Sequence, residues 1–550
     1  MPRTKKRIAT GDCETNPFKF GDDLAPFVWG HYDGETYQYF WNDDQKICTA
    51  DYVEYLRDES DLTIYFHNGG KFDLHFLLEY LDPDIMIING RIAKATMFDG
   101  QIEFRDSWLI LPIALAQYDK DQIDYQKFVP GERNKHKNEI IRYLRKDCTS
   151  LYELCDEFIK RFGNNLTLAS TAFKELKKTG YTVQNTYENF DKQMRPFYFG
   201  GRVQCFDVGN FIGHYEYFDI NSAYPWAMKF RHWHGPQMMC QLKMPETENG
   251  SFYAKIDAVS KGALPYRFEN KLYFPDDDKI RTYFASGWEI QTGLETGTLD
   301  IKKVHLVNKP LLTADFCEYV DKFFAEKASA KLNGDFIAEL FAKLMLNSAY
   351  GKFGQDGRSF EKFCIVEQGE WPENNPSWEH DMRWRYYADT DTGHTLFVRS
   401  DPQYKFYNVA TAASVTAKVR AFMWESLLSS DTPLYCDTDS IICKKFNGKI
   451  GAELGAWKLE ADLTEAHIAQ RKMYALRVNP VTEYGPIDQV KTASKGVRLQ
   501  YNEIKDAIKY AKNIEFKKDA PAMSLKYGPR YFAREINFEN IQKNIVRNPN

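Results

Sequence analysis

The chain opens on a strand pattern over Arg7–Thr10 that runs into Gly11-Asp12-Cys13-Glu14-Thr15. A second apolar run, Leu62–Phe66, predicts a strand that ends in His67-Asn68-Gly69-Gly70-Lys71-Phe72-Asp73, and an apolar helix follows through Leu74, Phe76, Leu77 and Leu78. Residues 138–160 alternate apolar and charged positions at helical spacing. Strands alternating with helices at the start of the chain imply an α/β domain with a central sheet. A short basic hinge spans Lys192–Gly201. Beyond it the pattern changes. Stretches 231–315 and 361–402, rich in Pro, Gly and aromatics, read as irregular insertions into a larger domain, the second carrying Trp371, Trp378 and Trp384. The last hundred residues are mixed and end in a polar tail, and no internal repeat or low-complexity tract is present.

Three segments concentrate chemistry. Tyr217-Phe218-Asp219-Ile220-Asn221-Ser222-Ala223-Tyr224-Pro225 is an apolar strand that delivers one carboxylate and then turns. In Lys343-Leu344-Met345-Leu346-Asn347-Ser348-Ala349-Tyr350-Gly351, the residues Lys343, Asn347 and Tyr350 recur at i, i+4 and i+7, one face of a helix. Tyr435-Cys436-Asp437-Thr438-Asp439-Ser440, flanked by apolar residues, predicts a hairpin with two carboxylates at its tip. Nucleotidyl transfer needs these types. Asp219 and Asp439 are candidate ligands for two metal ions, with Asp437 as a neighbouring helper. Lys343 supplies positive charge to phosphates, and Lys331, three helical turns earlier, is a second candidate. Tyr350 is suited to stack under a base pair, and Tyr224 to block a ribose 2′-hydroxyl. Each fragment alone is common, since an Asp-x-Asp pair is usually a turn and a Lys–Asn–Tyr face usually solvated. The weight lies in all three occurring in order.

A second constellation lies upstream. Asp12 and Glu14 are i and i+2 on one strand face, and Tyr143 and Asp147 are i and i+4 on one helix face. With Asp73 they offer four carboxylates and a tyrosine. That set is enough to hold two Mg²⁺ or Mn²⁺ ions for in-line phosphodiester hydrolysis, with Tyr143 orienting water. The bland alternative for each acid is a salt-bridged or solvated side chain.

Composition narrows little. A length of 550 residues implies several domains, and 43% hydrophobic with 27% charged residues is ordinary for a globular chain. Aromatics reach 15%, enough for large cores and also for stacking on nucleobases. The formal charge of −5 counts weakly against a nucleic-acid binder, but basic residues cluster locally. Arg471, Lys472, Arg477, Lys491, Lys495 and Arg498 face only Glu483 and Asp488 over 471–500. The 10 cysteines form no C-x-x-C pair, which argues against a zinc ribbon and for free thiols in a reducing cytoplasm. The basic N-terminus lacks the apolar core of a signal peptide, and no apolar stretch approaches spanning length.

The three segments, written Dx2SxYP, Kx3NSxYG and YxDTDS, resemble motifs A, B and C of family B DNA polymerases, most closely the protein-primed branch of tailed phages and linear plasmids. The upstream set resembles the DEDDy proofreading 3′→5′ exonuclease joined to them. The resemblance spans nearly the whole chain and implies an α/β and α+β multidomain fold. An RNase H-like exonuclease domain (1–190) and a hinge (191–202) would precede a palm and fingers (203–450), followed by a C-terminal palm extension and thumb (451–550). In that family the residues matching Asp219 and Asp439 bind metal, and those matching Lys331 and Lys343 meet the incoming deoxynucleoside triphosphate. The tyrosines matching Tyr224 and Tyr350 shape its pocket beside Asn347. Ala223 stands where the phage enzymes often have Leu. Tyr198-Phe199-Gly200-Gly201 resembles the YxGG hinge that contacts template, where paired glycines let a phosphate backbone come close. Lys472-Met473-Tyr474 resembles the KxY element at the primer terminus. Thr15, His67, Asn68, Phe72 and Ser107 match residues that hold a single-stranded 3′ end, with Trp108 in place of the usual Leu. No residue around 111–120 stands out as the supporting lysine of these exonucleases. The insertions 231–315 and 361–402 match the branch's two characteristic ones. The first is expected to dock a terminal protein. The second is expected to close around template and aid strand displacement. The expected protein is a monomer in the host cytoplasm, off the membrane, with two ions per site. The rivals are a family B enzyme using nucleic-acid primers, a nuclease whose second half only binds DNA, and a non-enzymatic scaffold.

Overall fold

The computed structural model describes residues 7–17, 24, 26–245, 250–372, 383–390, 393–403, 405–479, 489–494, 499–510, 518–525 and 528–534. Trp378, Glu483, Asp488, Lys495 and Arg498 lie outside the described residues. The chain forms two compact units, one of residues 1–171, 356–403 and 519–533, the other of 172–355, 404–518 and 534–550.

In the first unit the strand Arg7–Thr15 extends through the acidic motif and runs parallel to Leu62–Phe66, with Ala9 beside Ile64. Leu62–Phe66 in turn runs parallel to Ile102–Asp106. Every residue of Leu62–Phe66 is buried, as a strand covered on both faces requires. The helix Lys137–Phe162 buries Ile140, Tyr143, Leu144, Asp147, Cys148 and Leu151 along one stripe, and its Cys148 carbonyl accepts a hydrogen bond from Thr10 Oγ1 at 2.8 Å. The expected apolar helix after Asp73 is instead a 3₁₀ segment, Asp73–Tyr80, entered from Phe72 at φ −147°, ψ −87°.

Where it is described, the segment 361–402 is not an irregular loop. Its described residues form the strands Glu361–Glu367, Arg385–Asp389 and His394–Ser400, and Phe363 pairs with Ile85. They extend the sheet of the first unit to ten strands among the described residues. Phe363, Ile365, Leu396 and Val398 share a core with Ala9, Ile64, Phe66 and Phe104. The expected domain limits grouped this segment with the palm and fingers; the fold groups it with the N-terminal residues.

In the second unit a seven-stranded antiparallel sheet, counted among the described residues, is centred on Gly209–Ile220. This strand lies between Trp457–Gln470 and Ser440–Phe446, and Ser430–Asp437 and Val203–Cys205 follow. The described residues of 231–315 likewise form regular elements. His232–Gln241, Leu299–Ala314, Tyr253–Lys261 and Asp276–Ser286 make a four-stranded antiparallel sheet with the helix Gly287–Glu295. Register shifts interrupt three of its pairings, which breaks the period-2 signal that would reveal such strands in the sequence. No helix of the described residues is long and apolar enough to cross a membrane.

Candidate active sites

The first unit gathers four carboxylates. Ligand atoms of Asp12, Glu14 and Asp147 all lie within 4.8 Å of one another. Asp73 joins them through Cys13, whose amide donates to Asp73 Oδ1 at 3.1 Å. The turn before Asp73 passes close to its neighbours. A Cβ at Gly70 would stand 2.1 Å from the Ile92 carbonyl oxygen, so only glycine fits. Burial, then the charges of Asp73, Asp147 and Glu14, raise the Asp12 carboxyl well above its usual range. Burial and Asp147 push Glu14 up to about 8, and burial pushes Asp73 up to about 6. Negative charge at this density is what a divalent cation neutralises, and an all-oxygen donor set suits Mg²⁺ or Mn²⁺.

Lys120 completes the cluster. Its Nζ donates to Asp147 Oδ2 at 2.7 Å and lies 5.1 Å from the Tyr143 ring centroid. Burial works against its charge, yet Asp147 and Asp12 hold the ammonium above its usual range. It lies at the end of the window in which no lysine stood out, because a lone Lys in a loop carries no periodic signal. Burial and Asp147 raise the Tyr143 hydroxyl, keeping it protonated.

The residues expected to hold a single strand separate into two groups. His67 Nδ1 is 3.0 Å from Ser107 Oγ and its Nε2 donates to the Ile113 carbonyl at 2.8 Å, so His67 and Ser107 are brought together. Burial pushes His67 down to about 4, leaving it neutral. Its ring packs 5.6 Å from Trp108. Asn68 adopts the left-handed backbone at φ +61°. Thr15 is buried and its hydroxyl is spent on the Asn16 carbonyl, and Phe72 packs against Phe76 and the core.

In the second unit the hairpin closes as the spacing predicts. Asp437 pairs with Ser440, leaving Thr438 and Asp439 as the turn. Asp219 is the cross-strand neighbour of Ser440, and the Ile220 amide donates to the Asp439 carbonyl at 2.7 Å. The two carboxylates thus converge. Burial, Asp439 and Glu460 push Asp219 up to about 7, and burial with Asp437 pushes Asp439 up to about 6. The donor set again fits a hard cation. Asp437 is already engaged: Lys472 Nζ lies 3.2 Å away, and the Tyr435 and Thr438 hydroxyls donate to it. Lys458 and Lys491 oppose the burial of Asp219; on strands far along the chain, Lys458 was missed in the sequence and Lys491 stood out only as part of the basic cluster over 471–500.

Lys343 and Asn347 are exposed on the helix Phe336–Ser348, whereas Tyr350 lies in the following 3₁₀ turn, stacked on Tyr224. Lys331 is not on the same helix as Lys343. The helix Cys317–Asn333 ends at Gly334 (φ +70°), and Asp335 caps the next by accepting from the Ala338 amide. The two helices pack side by side, and burial with the charges of Lys343 and Lys331 lowers Lys327 between them. Lys327 is a further cation of this group.

The Tyr198–Gly201 segment leads into Val203–Cys205, which pairs with Ser430–Asp437. Space beside Gly200 is open, while a Cβ at Gly201 would meet Thr438. Tyr198 packs on Gly354 and its carbonyl accepts from Arg267 at 2.7 Å. Tyr474 is buried against Tyr435, 5.3 Å between ring centroids, so its ring supports the hairpin.

Residues 114–446 match the family described as DNA polymerase type B, organellar and viral. The chain is 35% identical to the DNA-directed DNA polymerase of Enterobacteria phage PRD1 over 98% of its own length and 100% of that protein. Its fold is similar to Phi29 DNA polymerase complexed with primer-template DNA, with a TM-score of 0.72, 18% identity, and 97% and 100% of the two chains covered. Phi29 DNA polymerase complexed with primer-template DNA and incoming nucleotide substrates gives 0.69, again at 18% identity and 97% and 100% coverage.

Proposed function

The chain belongs to the organellar and viral type B DNA polymerases and is a DNA-directed DNA polymerase; from that premise we propose that its second unit synthesises DNA and its first unit proofreads it by 3′→5′ hydrolysis. The observation that carries this reading is a pair of separate carboxylate clusters, Asp219 with Asp439 and Asp12, Glu14, Asp73 with Asp147, whose carboxyls are held above their usual range first by burial and then by neighbouring carboxylates. Two Mg²⁺ or Mn²⁺ ions per site, bound by these groups, supply charge neutralisation and an activated oxygen nucleophile.

The chain's own residues do the rest. Lys343 and Lys331, joined by Lys327, draw in the triphosphate, with Asn347 on the same exposed face. Tyr350 stacks under the nascent base pair and Tyr224 excludes a ribose 2′-hydroxyl. Asp437 and Lys472 neutralise one another beside the site, and Lys472 with Tyr474 steadies the primer end. Tyr198 and the open side at Gly200 meet the template, with Gly201 behind them against Thr438. In the first unit Tyr143 orients water, Lys120 holds Asp147, and Asn68 and Phe72 beside the His67–Ser107 pair receive the single-stranded end.

The enzyme acts as a monomer in a host cytoplasm, replicates a viral or linear-plasmid genome, and starts on the side-chain hydroxyl of a terminal protein docked on 231–315. Residues 361–402 enclose template and part the downstream duplex, giving processive strand displacement. Extension of a labelled primer on a circular template, without helicase or binding protein, tests the synthesis and displacement claims. Products no longer than the circle would sink displacement. Transfer of a labelled nucleotide onto a protein from the same genome tests priming. Its absence, with primer extension intact, would favour nucleic-acid primers.

A further inference from the structure

The hinge segment ends against the turn that carries Asp439. A Cβ built on Gly201 would stand 2.6 Å from Thr438 Oγ1, 2.7 Å from its Cγ2 and 3.0 Å from its Cβ. The Thr438 amide donates to the Arg202 carbonyl at 2.6 Å, and Val203 pairs with Asp437. Thr438 holds φ at +61°, a left-handed conformation that a β-branched residue adopts only when its surroundings enforce it. The enforcing groups are Gly201 on one side and Asp437 on the other, whose Oδ1 accepts from Thr438 Oγ1 at 3.1 Å.

The segment is itself immobilised from behind. The Arg202 guanidinium is buried, 4.2 Å and 4.4 Å from the ring centroids of Phe274 and Trp424, and donates to Gln204 Oε1 and the Gly262 carbonyl. Arg420 donates to the carbonyls of Phe199 and Gly200, each at 2.8 Å, and pairs with Glu289 at 2.7 Å, both side chains 1% exposed. A buried arginine whose donors reach backbone carbonyls fixes those carbonyls in direction as well as distance. The inner wall of the segment is therefore rigid, while the side at Gly200 is open.

We propose that the Gly201–Thr438 contact is a positioning device, through which the Tyr198–Arg202 segment sets where Asp439 stands and hence how tightly the polymerase site holds its cations. The inference rests on the reading of Asp219 and Asp439 as the cation ligands. A side chain at residue 201 cannot be accommodated by rotating Thr438 alone, since Thr438 Cβ is itself in contact. The turn must move, and Asp439 moves with it. Gly200 has no such neighbour, so a side chain there meets only what approaches from outside.

The test uses the full chain with Asp12→Ala and Asp73→Ala, so that the other carboxylate set is weakened. Free Mn²⁺ is followed by electron paramagnetic resonance, and template-strand binding by gel shift without metal. Gly201→Ala is expected to weaken Mn²⁺ binding about tenfold with little change in template binding. Gly200→Ala is expected to do the reverse. Adding Thr438→Ala to Gly201→Ala, which removes the two closest contacts, should recover much of the lost Mn²⁺ affinity. Unchanged Mn²⁺ affinity in Gly201→Ala, or a double variant no better than the single, overturns the inference. Should Gly201→Ala lose its cooperative melt, Thr438→Gly takes its place. Glycine suits the positive φ and removes the wall without adding bulk, so Mn²⁺ affinity should still fall, and an unchanged value overturns the proposal. A parent protein that extends no primer in Mg²⁺ would instead sink the polymerase reading itself.

Discussion

The ring of Tyr224 lies stacked on that of Tyr350, with centroids 4.4 Å apart and planes within 16° of parallel. Tyr224 comes from the short helix after Asp219, and Tyr350 from the turn after the Lys343 helix. Aromatic pairs of this kind contribute about 0.5–1.5 kcal/mol beyond the area they bury. The stack therefore ties Tyr224, proposed to exclude the 2′-hydroxyl, to Tyr350, proposed to lie under the base pair. Tyr224→Val should raise ribonucleotide insertion relative to deoxyribonucleotide insertion by about tenfold or more. Single-nucleotide insertion kinetics with the two sugars measure it, and an unchanged ratio would remove Tyr224 from that role.

Asp219→Ala or Asp439→Ala should reduce primer extension more than about 100-fold while single-strand degradation continues. The two carboxylate sets belong to separate compact units, so loss of one leaves the other's ligands in place. Extension at the parent rate by either variant would overturn the palm assignment. The converse variant, Asp12→Ala with Asp73→Ala, should stop degradation and spare extension.

Lys120→Ala removes the 2.7 Å contact to Asp147 and leaves four acids with less compensating charge. Residues that hold a ligand in place typically matter by about 10–100-fold, and a fall of that size in 3′→5′ degradation is expected with extension unaffected. Degradation of labelled single strands over a Mn²⁺ series reads it, and parent-like curves would rule Lys120 out.

His67 gives a pH dependence of stability. Burial holds the folded imidazole near 4, whereas the unfolded one titrates at its ordinary 6.5. The unfolded state therefore takes up a proton first as pH falls. Stability from this group is complete above 6.5 and is lost as pH drops toward 4. Melting temperatures from pH 7.5 to 4.5 should decline more steeply in the parent than in His67→Gln. Equal slopes would show that some other group titrates.

Deleting residues 361–402 should abolish 3′→5′ degradation as well as shorten products. Phe363, Ile365, Leu396 and Val398 belong to the core beneath Arg7–Thr15, the strand that carries Asp12 and Glu14. Truncating a large buried apolar side chain to Ala typically costs about 2–5 kcal/mol, and here several leave together. Full degradation activity after the deletion would mean that the inserted strands are dispensable to the first unit.

The candidate site residues of this protein were legible in short windows. Asp12 with Glu14, Tyr143 with Asp147, and Asp437 with Asp439 declare themselves because the geometry of a strand, a helix turn or a hairpin tip is local. The side-chain direction at i+2 or i+4 follows from backbone dihedrals alone. Leu62–Phe66 was readable for the same reason, since burial on both faces imposes a run of β-branched, aromatic and apolar residues with no charge. Other features depended on partners distant in sequence. Lys120 meets Asp147 across a loop, Gly201 meets Thr438 across most of the second unit, and Lys331 parts from Lys343 at a glycine that a spacing count passes over. The strands of 231–315 and 361–402 looked irregular because bulges, prolines and aromatics obscure the period of two. What makes them strands is pairing that satisfies their backbone groups and buries Phe363 against Ile85 or Tyr253 against Trp233. Local sequence determined which groups this protein can use; only the closing of distant strands over a shared apolar core decided which of them meet.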